Sequence, residues 1–326
     1  MAEWLYEEGI GERRAALVDK GAIVEALIER DGAGARLGAI LPARLGRAMV
    51  DTGRAAATLD TGEPVILRQR PPGVSEGAAI RVEILREAIP DAGDPKPAQG
   101  RATDAYTTPA PTLRQRLTGH PVRELLPHQP DELEAAGWSE LIEEARSGLV
   151  AFSAGLLRIA LTPAMTVIDV DGSIRNVALA LAGAEASTRA IRRLGIAGSI
   201  GIDLPTLQSK ADRQAAAGVI DAILPQPFER TAVNGFGFIQ IVRPRFRPSL
   251  PELIRATPIE TAALALLRRA SRLRAGSCAL HAAPAVMDWL AARPHLTDAL
   301  ARANGGAVAL RPDPALAISA GHAVRL

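Results

Sequence analysis

A mixed α/β protein is what the sequence predicts, and three observations carry that expectation. Two short apolar runs, Thr166-Val-Ile-Asp169-Val-Asp171-Gly172 and Ser199-Ile-Gly-Ile-Asp203-Leu-Pro205, each end in a carboxylate and flank a segment of helical composition, Asn176 to Leu194. That is the layout of a βαβ unit, in which a helix returns the chain to lay a second strand parallel to the first. From about Ala33 to Ile89 short β-type runs recur, broken by glycine, with no helical pattern among them. Beyond Pro258 a helical segment leads into a second, smaller alternation of apolar run and helix.

Length and composition bound the problem before any motif is read. A chain of 326 residues is long enough for two or three domains. Aromatic residues make up only 3%, so the core must be built from Ala, Leu, Ile and Val. The formal charge of +2 is too weak a bias to imply nucleic acid by itself, but its distribution says more. Arg189 to Arg274 holds 14 basic and 6 acidic residues, a net +8 that leaves −6 elsewhere. A basic face in the half that holds Asp203 suits a polyanionic partner, and equally suits a solvated Arg-rich helix surface. The single cysteine, Cys278, excludes an internal disulfide and a cysteine-rich zinc site within one chain. The acidic start, Met1-Ala-Glu-Trp-Leu-Tyr-Glu-Glu, has no hydrophobic signal region, and no run approaches the ~20 apolar residues of a membrane span. A soluble cytoplasmic protein with no membrane partner is expected.

Taken in order, the chain opens on a hairpin pattern, Arg13 to Val18 and Ala22 to Ile28, turned at Lys20-Gly21. Gly9-Ile-Gly11 lacks the third glycine and the preceding strand of a dinucleotide loop. The runs Leu37–Leu41, Arg47–Asp51, Pro64–Arg68 and Ala79–Leu85 have the spacing of a small β-barrel. A barrel of that size commonly holds oligonucleotides, usually by stacking bases on aromatics, and residues 31–105 contain none. Pro90 to Thr112, with prolines at 90, 95, 97, 109 and 111, reads as a linker without helix or sheet. Helical periodicity resumes at Asp131, with Trp138, Leu141, Ile142 and Ala145 spaced for one buried face. Leu156–Leu161 and Met165–Asp169 form a second hairpin pattern, followed by the βαβ unit, a helix from about Leu207 to Leu224 and a strand at Gly237–Val242.

Asp169 and Asp203 are the candidate chemistry. Strands lie about 4.8 Å apart, so two strand-ending carboxylates can share one small volume, where they repel unless a cation or proton lies between them. Open α/β sheets also place ligands at the strands' carboxyl ends. The alternative is a pair of turn-capping acids. Asp171, two residues on, shares a face with Asp169 and is either a third contact or the start of the Asp171-Gly172 turn. Arg243, Arg245 and Arg247 recur at every second position of an extended segment, where their guanidinium forks suit phosphate oxygens or protect a sheet edge. The histidines at 120, 128, 281, 295 and 322 show no ligand spacing, and no nucleophile elbow is present.

In order, these blocks resemble the ribonuclease E/G family. Gly11 to Arg30 is similar to its opening strand pair, and Leu156 to Gly172 to the pair ending in an "IDVNSG"-type motif. Gly198 to Leu204 is similar to its "GGLIVIDFIDM"-type motif, Gly235 to Leu250 to its "FGLLEMSRxRxRPSL"-type motif, and Cys278 to Leu326 to its small C-terminal domain. The resemblance implies an RNase H-like/DNase I-like nuclease core interrupted by an OB-type barrel. Residues 1–30 would begin the RNase H-like region, 31–89 form the RNA-binding barrel and 90–130 a Pro-rich linker with a reduced 5′-sensor region. Residues 131–165 would complete the RNase H-like region, 166–255 form the catalytic DNase I-like subdomain and 256–326 the small C-terminal α/β domain.

Asp169 and Asp203 fall where the family holds magnesium, and Asp171 falls where it usually has asparagine. Arg243, Arg245 and Arg247 would then position the backbone of single-stranded RNA. A magnesium-dependent endoribonuclease is implied, the alternative being an RNA-binding protein of the same fold with weakened or lost cleavage. The family's Cys-Pro-x-Cys zinc link is replaced by Pro251-Glu-Leu-Ile, so no structural zinc and no zinc-linked tetramer is expected, while a homodimer stays open.

Overall fold

The computed structural model describes residues 1–32, 34–91 and 95–326. In chain order the first strands are β1 (Glu3–Glu8), β2 (Glu12–Asp19), β3 (Ala22–Arg30), β4 (Ile40–Met49), β5 (Arg54–Leu59), β6 (Pro64–Leu67), β7 (Ala79–Arg86) and β8 (Ala98–Thr103). There follow α1 (Leu113–Arg116), β9 (Val122–Glu124), α2 (Glu132–Ala135), α3 (Trp138–Ser147), β10 (Leu149–Phe152), β11 (Gly155–Leu161) and β12 (Thr166–Gly172). Then come α4 (Asn176–Arg193), β13 (Gly198–Asp203), α5 (Lys210–Ile223), β14 (Glu229–Arg230), β15 (Phe238–Arg243) and α6 (Leu250–Ala256). The chain closes with α7 (Pro258–Ser271), β16 (Cys278–Ala282), α8 (Pro284–Ala291), α9 (Pro294–Asn304), β17 (Val308–Pro312) and β18 (His322–Arg325).

Two compact units result. The first gathers Met1–Asp31, Leu117–Ser139 and Ile254–Leu326; the second gathers Gly32–Arg116 and Glu140–Leu253. In the first unit the expected hairpin forms β2 and β3, within a sheet of order β3-β2-β1-β9, and a second sheet runs β17-β16-β18. The core around α7 is aliphatic: Leu264, Leu266 and Leu267 of α7 pack with Leu280, Leu290 and Leu300. Each such buried leucine contributes about 2 kcal/mol. Charge is buried here too. Arg14 is paired with Glu7, meets both Asp131 carboxylate oxygens at 2.8 Å and stacks on the Trp138 ring at 5.0 Å.

The second unit holds a closed barrel of order β4-β5-β6-β8-β7 and a six-stranded sheet of order β10-β11-β12-β13-β15-β14. The barrel corrects one expectation. Residues 98–103, taken from the surrounding prolines as linker, form β8, parallel to β6 and antiparallel to β7. Prolines 95 and 97 lie just outside the strand, so its ladder N–H groups are intact and proline does not prevent pairing. Beyond the linker, the rest of the 90–130 stretch holds α1 and β9, the latter pairing parallel to β1. Residues 92–94 of the linker lie outside the described residues. The helix foreseen from Asp131 is two helices, α2 and α3, separated at Gly137.

In the six-stranded sheet the hairpin β11–β12 and the parallel β12–β13 pair joined by α4 stand as the pattern predicted. Alternation decides the two faces. Leu157, Ile159, Ile168, Val170, Ile200, Ile202, Ile239 and Ile241 are buried. They lie on the side where α4 packs, with Gly183 against Val170. The intervening residues, including Asp169 and Asp203, therefore look out from the opposite face.

Candidate active site

Register brings the two acids together. Asp169 is the in-register partner of Asp203 across the parallel β12–β13 pair, at the carboxyl end of β13 and three residues before the end of β12. The row continues on either side: Leu149 on β10, Arg158 on β11, Asp169, Asp203 and then Phe238 on β15. Asp169 is half-buried and Asp203 exposed. Burial, followed by the charges of Asp171 and Asp203, pushes the Asp169 carboxyl above the usual carboxylate range, with Arg158 pulling the other way. Two carboxylates held so close favour a cation between them.

Asp171 is exposed and turned toward Arg158, whose Nε donates to its Oδ2 at 2.7 Å. The guanidinium thus balances the Asp171 carboxylate. Sequence reasoning missed Arg158, though the hairpin contained the signal: counting back from the Thr162–Met165 turn pairs Arg158 with Asp169. It also missed Phe238, the in-register neighbour of Asp203, and Phe236 in the loop before it, in a chain that has only five phenylalanines. Phe238 stands next to Asp203 in the row, and its ring lies over Gly201, where a Cβ would come within 2.5 Å of it. Only a residue without a side chain lets that ring lie along the sheet.

Phe236 is 82% exposed at the loop leading into β15. The loop is fixed by its own hydrogen bonds: the Asn234 side-chain oxygen accepts from the N–H groups of Phe236 at 2.9 Å and Phe238 at 3.0 Å. The Leu204 N–H donates to the Gly237 carbonyl at 3.3 Å, tying the loop to the residue after Asp203. Gly237 has φ +97, and a Cβ there would collide with the Leu204 carbonyl oxygen, so glycine is required for this approach. The N-terminus of α4, which follows β12, has no side-chain cap and no acid in its first turn. Its free N–H groups and positive dipole end favour an anion at the same end of the sheet.

The three arginines are not brought to the acids. Phe238 pairs with Asp203, whereas Arg243 pairs with Gly198 at the far end of β13, five residues and about 17 Å away at strand rise. Arg243 donates to the Ile196 carbonyl at 2.9 Å, Arg245 is paired with Glu252, and Arg247 is half-buried. Among the described residues no group of three or more His, Cys, Asp or Glu side chains is arranged to hold a metal. The acid pair is the donor set that remains, and it fits magnesium, which uses one or two carboxylates and keeps several waters. No protein-family model matches the chain, and no curated protein matches it. Among the described residues no helix is long and apolar enough to cross a membrane.

Proposed function

We propose that this chain is a magnesium-dependent endoribonuclease that hydrolyses phosphodiester bonds of single-stranded RNA at the Asp169–Asp203 pair. The observation that carries the proposal is the in-register pairing of two carboxylates on an open sheet face, one of them with its pKa raised by burial and by the charges of Asp171 and Asp203. The ordered resemblance to ribonuclease E/G blocks supports it, and with it the RNase H-like/DNase I-like reading of the sheets and the OB-type reading of the barrel. On this reading Asp169 and Asp203 hold the ion. When bound, magnesium supplies an activated water and neutralises charge on the phosphate. Arg158 holds Asp171 in place and keeps its charge from the substrate. The uncapped start of α4 offers N–H groups to phosphate oxygens, and Phe236 and Phe238 offer faces on which an unpaired base stacks. The product carries a 5′-phosphate, and the setting supposed is the cytoplasm.

A second reading, RNA binding without efficient cleavage, is favoured by one observation: Asp171 directs its carboxylate to Arg158 rather than to the acid pair. Labelled single-stranded RNA incubated with and without magnesium, beside Asp169→Asn and Asp203→Asn, decides between them. Magnesium-dependent cleavage lost in both variants is expected. Cleavage that survives both, or none by the wild type, overturns the first reading.

A further inference from the structure

Strand register in the first unit brings together two histidines that lie far apart in the sequence. His281 of β16 is the in-register partner of His322, the first residue of β18, across an antiparallel pair. Cys278, Leu280 and Ala282 of β16 belong to the core cluster around α7, and Ala323 of β18 packs against it. His281 and His322 therefore take the opposite face of the sheet, where His281 is half-buried and His322 exposed. Their rings lie parallel to within 5°, with centroids 5.0 Å apart. On β17 the partner of His281 is Arg311, so the row reads Arg311, His281, His322. Because β18 is an edge strand, the pair is reached from its side of the sheet.

The backbone around the pair is held from both directions. The Gly321 carbonyl, just before His322, accepts from Arg269 Nη2 of α7 at 2.8 Å. The Asp313 N–H donates to the Ala282 carbonyl, next to His281, at 2.8 Å. The rings on this frame are uncommitted: among the described residues neither imidazole joins a hydrogen bond or an ion pair. Neutral imidazole is the commonest side-chain ligand for metals. Zinc bonds an imidazole nitrogen at about 2.0–2.1 Å and takes tetrahedral angles, which sets the centroids of two ligating rings about 5 Å apart. The spacing of the two histidines matches that value. The last torsion of histidine is broad, so each ring can turn a nitrogen to an ion with the backbone in place.

We propose that His281 and His322 form a binding site for a divalent late transition-metal ion, such as zinc or copper, with two imidazole ligands and water in the remaining positions. The ion differs in class from the one assigned to the acid pair, since magnesium takes hard oxygen donors whereas imidazole suits zinc, copper and nickel. The site uses neither the acids nor a cysteine, and it does not depend on the proposed function. Bridging β16 to β18 ties the last strand to its sheet, so native-state stability rises with the concentration of the metal.

Calorimetric titration of the full chain with zinc, in excess magnesium to compete at oxygen donors, tests the site. The wild type is expected to take up zinc and to melt at a higher temperature with it. His322→Ala and His281→Ala are each expected to weaken that binding by about a hundredfold or more, since loss of an outer-shell partner alone costs about 10–100-fold. His295→Ala, an exposed histidine at the start of α9, is expected to leave it in place. Copper is expected to bind the wild type more tightly than zinc does. Thermal melting without metal shows that each variant is folded, and His322→Ala, at an exposed edge, carries the test alone where His281→Ala does not fold. Zinc binding that survives His322→Ala, an equal loss in His295→Ala, or no zinc binding by the wild type overturns the site. Because no RNA is used, this outcome is separate from the fate of the nuclease reading.

Discussion

Removing one charge from the acid pair distinguishes a cation site from two turn-capping acids. In-register residues on adjacent strands lie about 4.8 Å apart. At that spacing two unit charges repel by about 0.9 kcal/mol with the screening of water, and by about 3.5 kcal/mol at an effective dielectric of 20. Asp203 is exposed, so the lower figure governs. Asp169→Asn is thus expected to stabilise the magnesium-free protein by about 1 kcal/mol or less, a Tm gain of up to about 2–4 °C for a unit of this size. The sign with pH follows from the raised Asp169 pKa. A carboxyl that holds its proton more tightly when folded costs stability once ionised, so the variant's advantage should vanish as pH falls through the range where Asp169 protonates.

Magnesium should reverse the order. A cation bound only by the native state, at a hundred times its Kd, contributes about 2.7 kcal/mol, available to the wild type and lost to the variant. Calorimetry in chelator and then along a magnesium titration, with RNA cleavage in parallel, reads both halves. A variant less stable than wild type in chelator refutes the repulsion argument. Equal magnesium stabilisation of the two proteins refutes the cation site.

Three further outcomes are expected. Arg158→Ala removes a charge that holds the Asp169 pKa down, so the acidic limb of the pH–rate profile should move to higher pH; an unmoved limb means that Arg158 does not act on the pair. Phe236→Ala should leave Tm unchanged, because the side chain is 82% exposed, and raise KM about tenfold, within the ~1–3 kcal/mol of one base–aromatic stack; an unchanged KM removes Phe236 from substrate binding. In the first unit, burial works against ionised Asp131, but Arg14, the Glu134 N–H and Arg272 outweigh it and hold its pKa below the usual range. Its stabilising effect is therefore complete above the unfolded pKa of about 4 and lost as pH falls through the folded value. Asp131→Asn keeps a competent cap for α2 yet leaves Arg14 short of a partner, and should cost up to about 3 kcal/mol at neutral pH by chemical denaturation. A loss no larger than a few tenths would show that Glu7 alone satisfies Arg14.

What the sequence determined by itself was the period and ending of each element. Apolar runs closed by Asp169 and Asp203, with a helical segment between them, need a parallel strand pair, and the Lys20-Gly21 and Thr162–Met165 turns need hairpins, because these choices are local. It also carried the scarcity of aromatics that leaves the barrel core and the cluster around α7 to aliphatic side chains. Tertiary structure decided what depends on pairing across distance. Residues 98–103 have no strand signal of their own and become β8 because the barrel between β6 and β7 offers a ladder to complete. Alternating arginines at 243, 245 and 247 look alike in sequence, yet antiparallel register sends them to the opposite end of β13 from Asp203. The same register sets Phe238 beside Asp203 and Arg158 opposite Asp169. Spacing along the chain fixes which face a side chain takes, but only strand register fixes which side chains become neighbours.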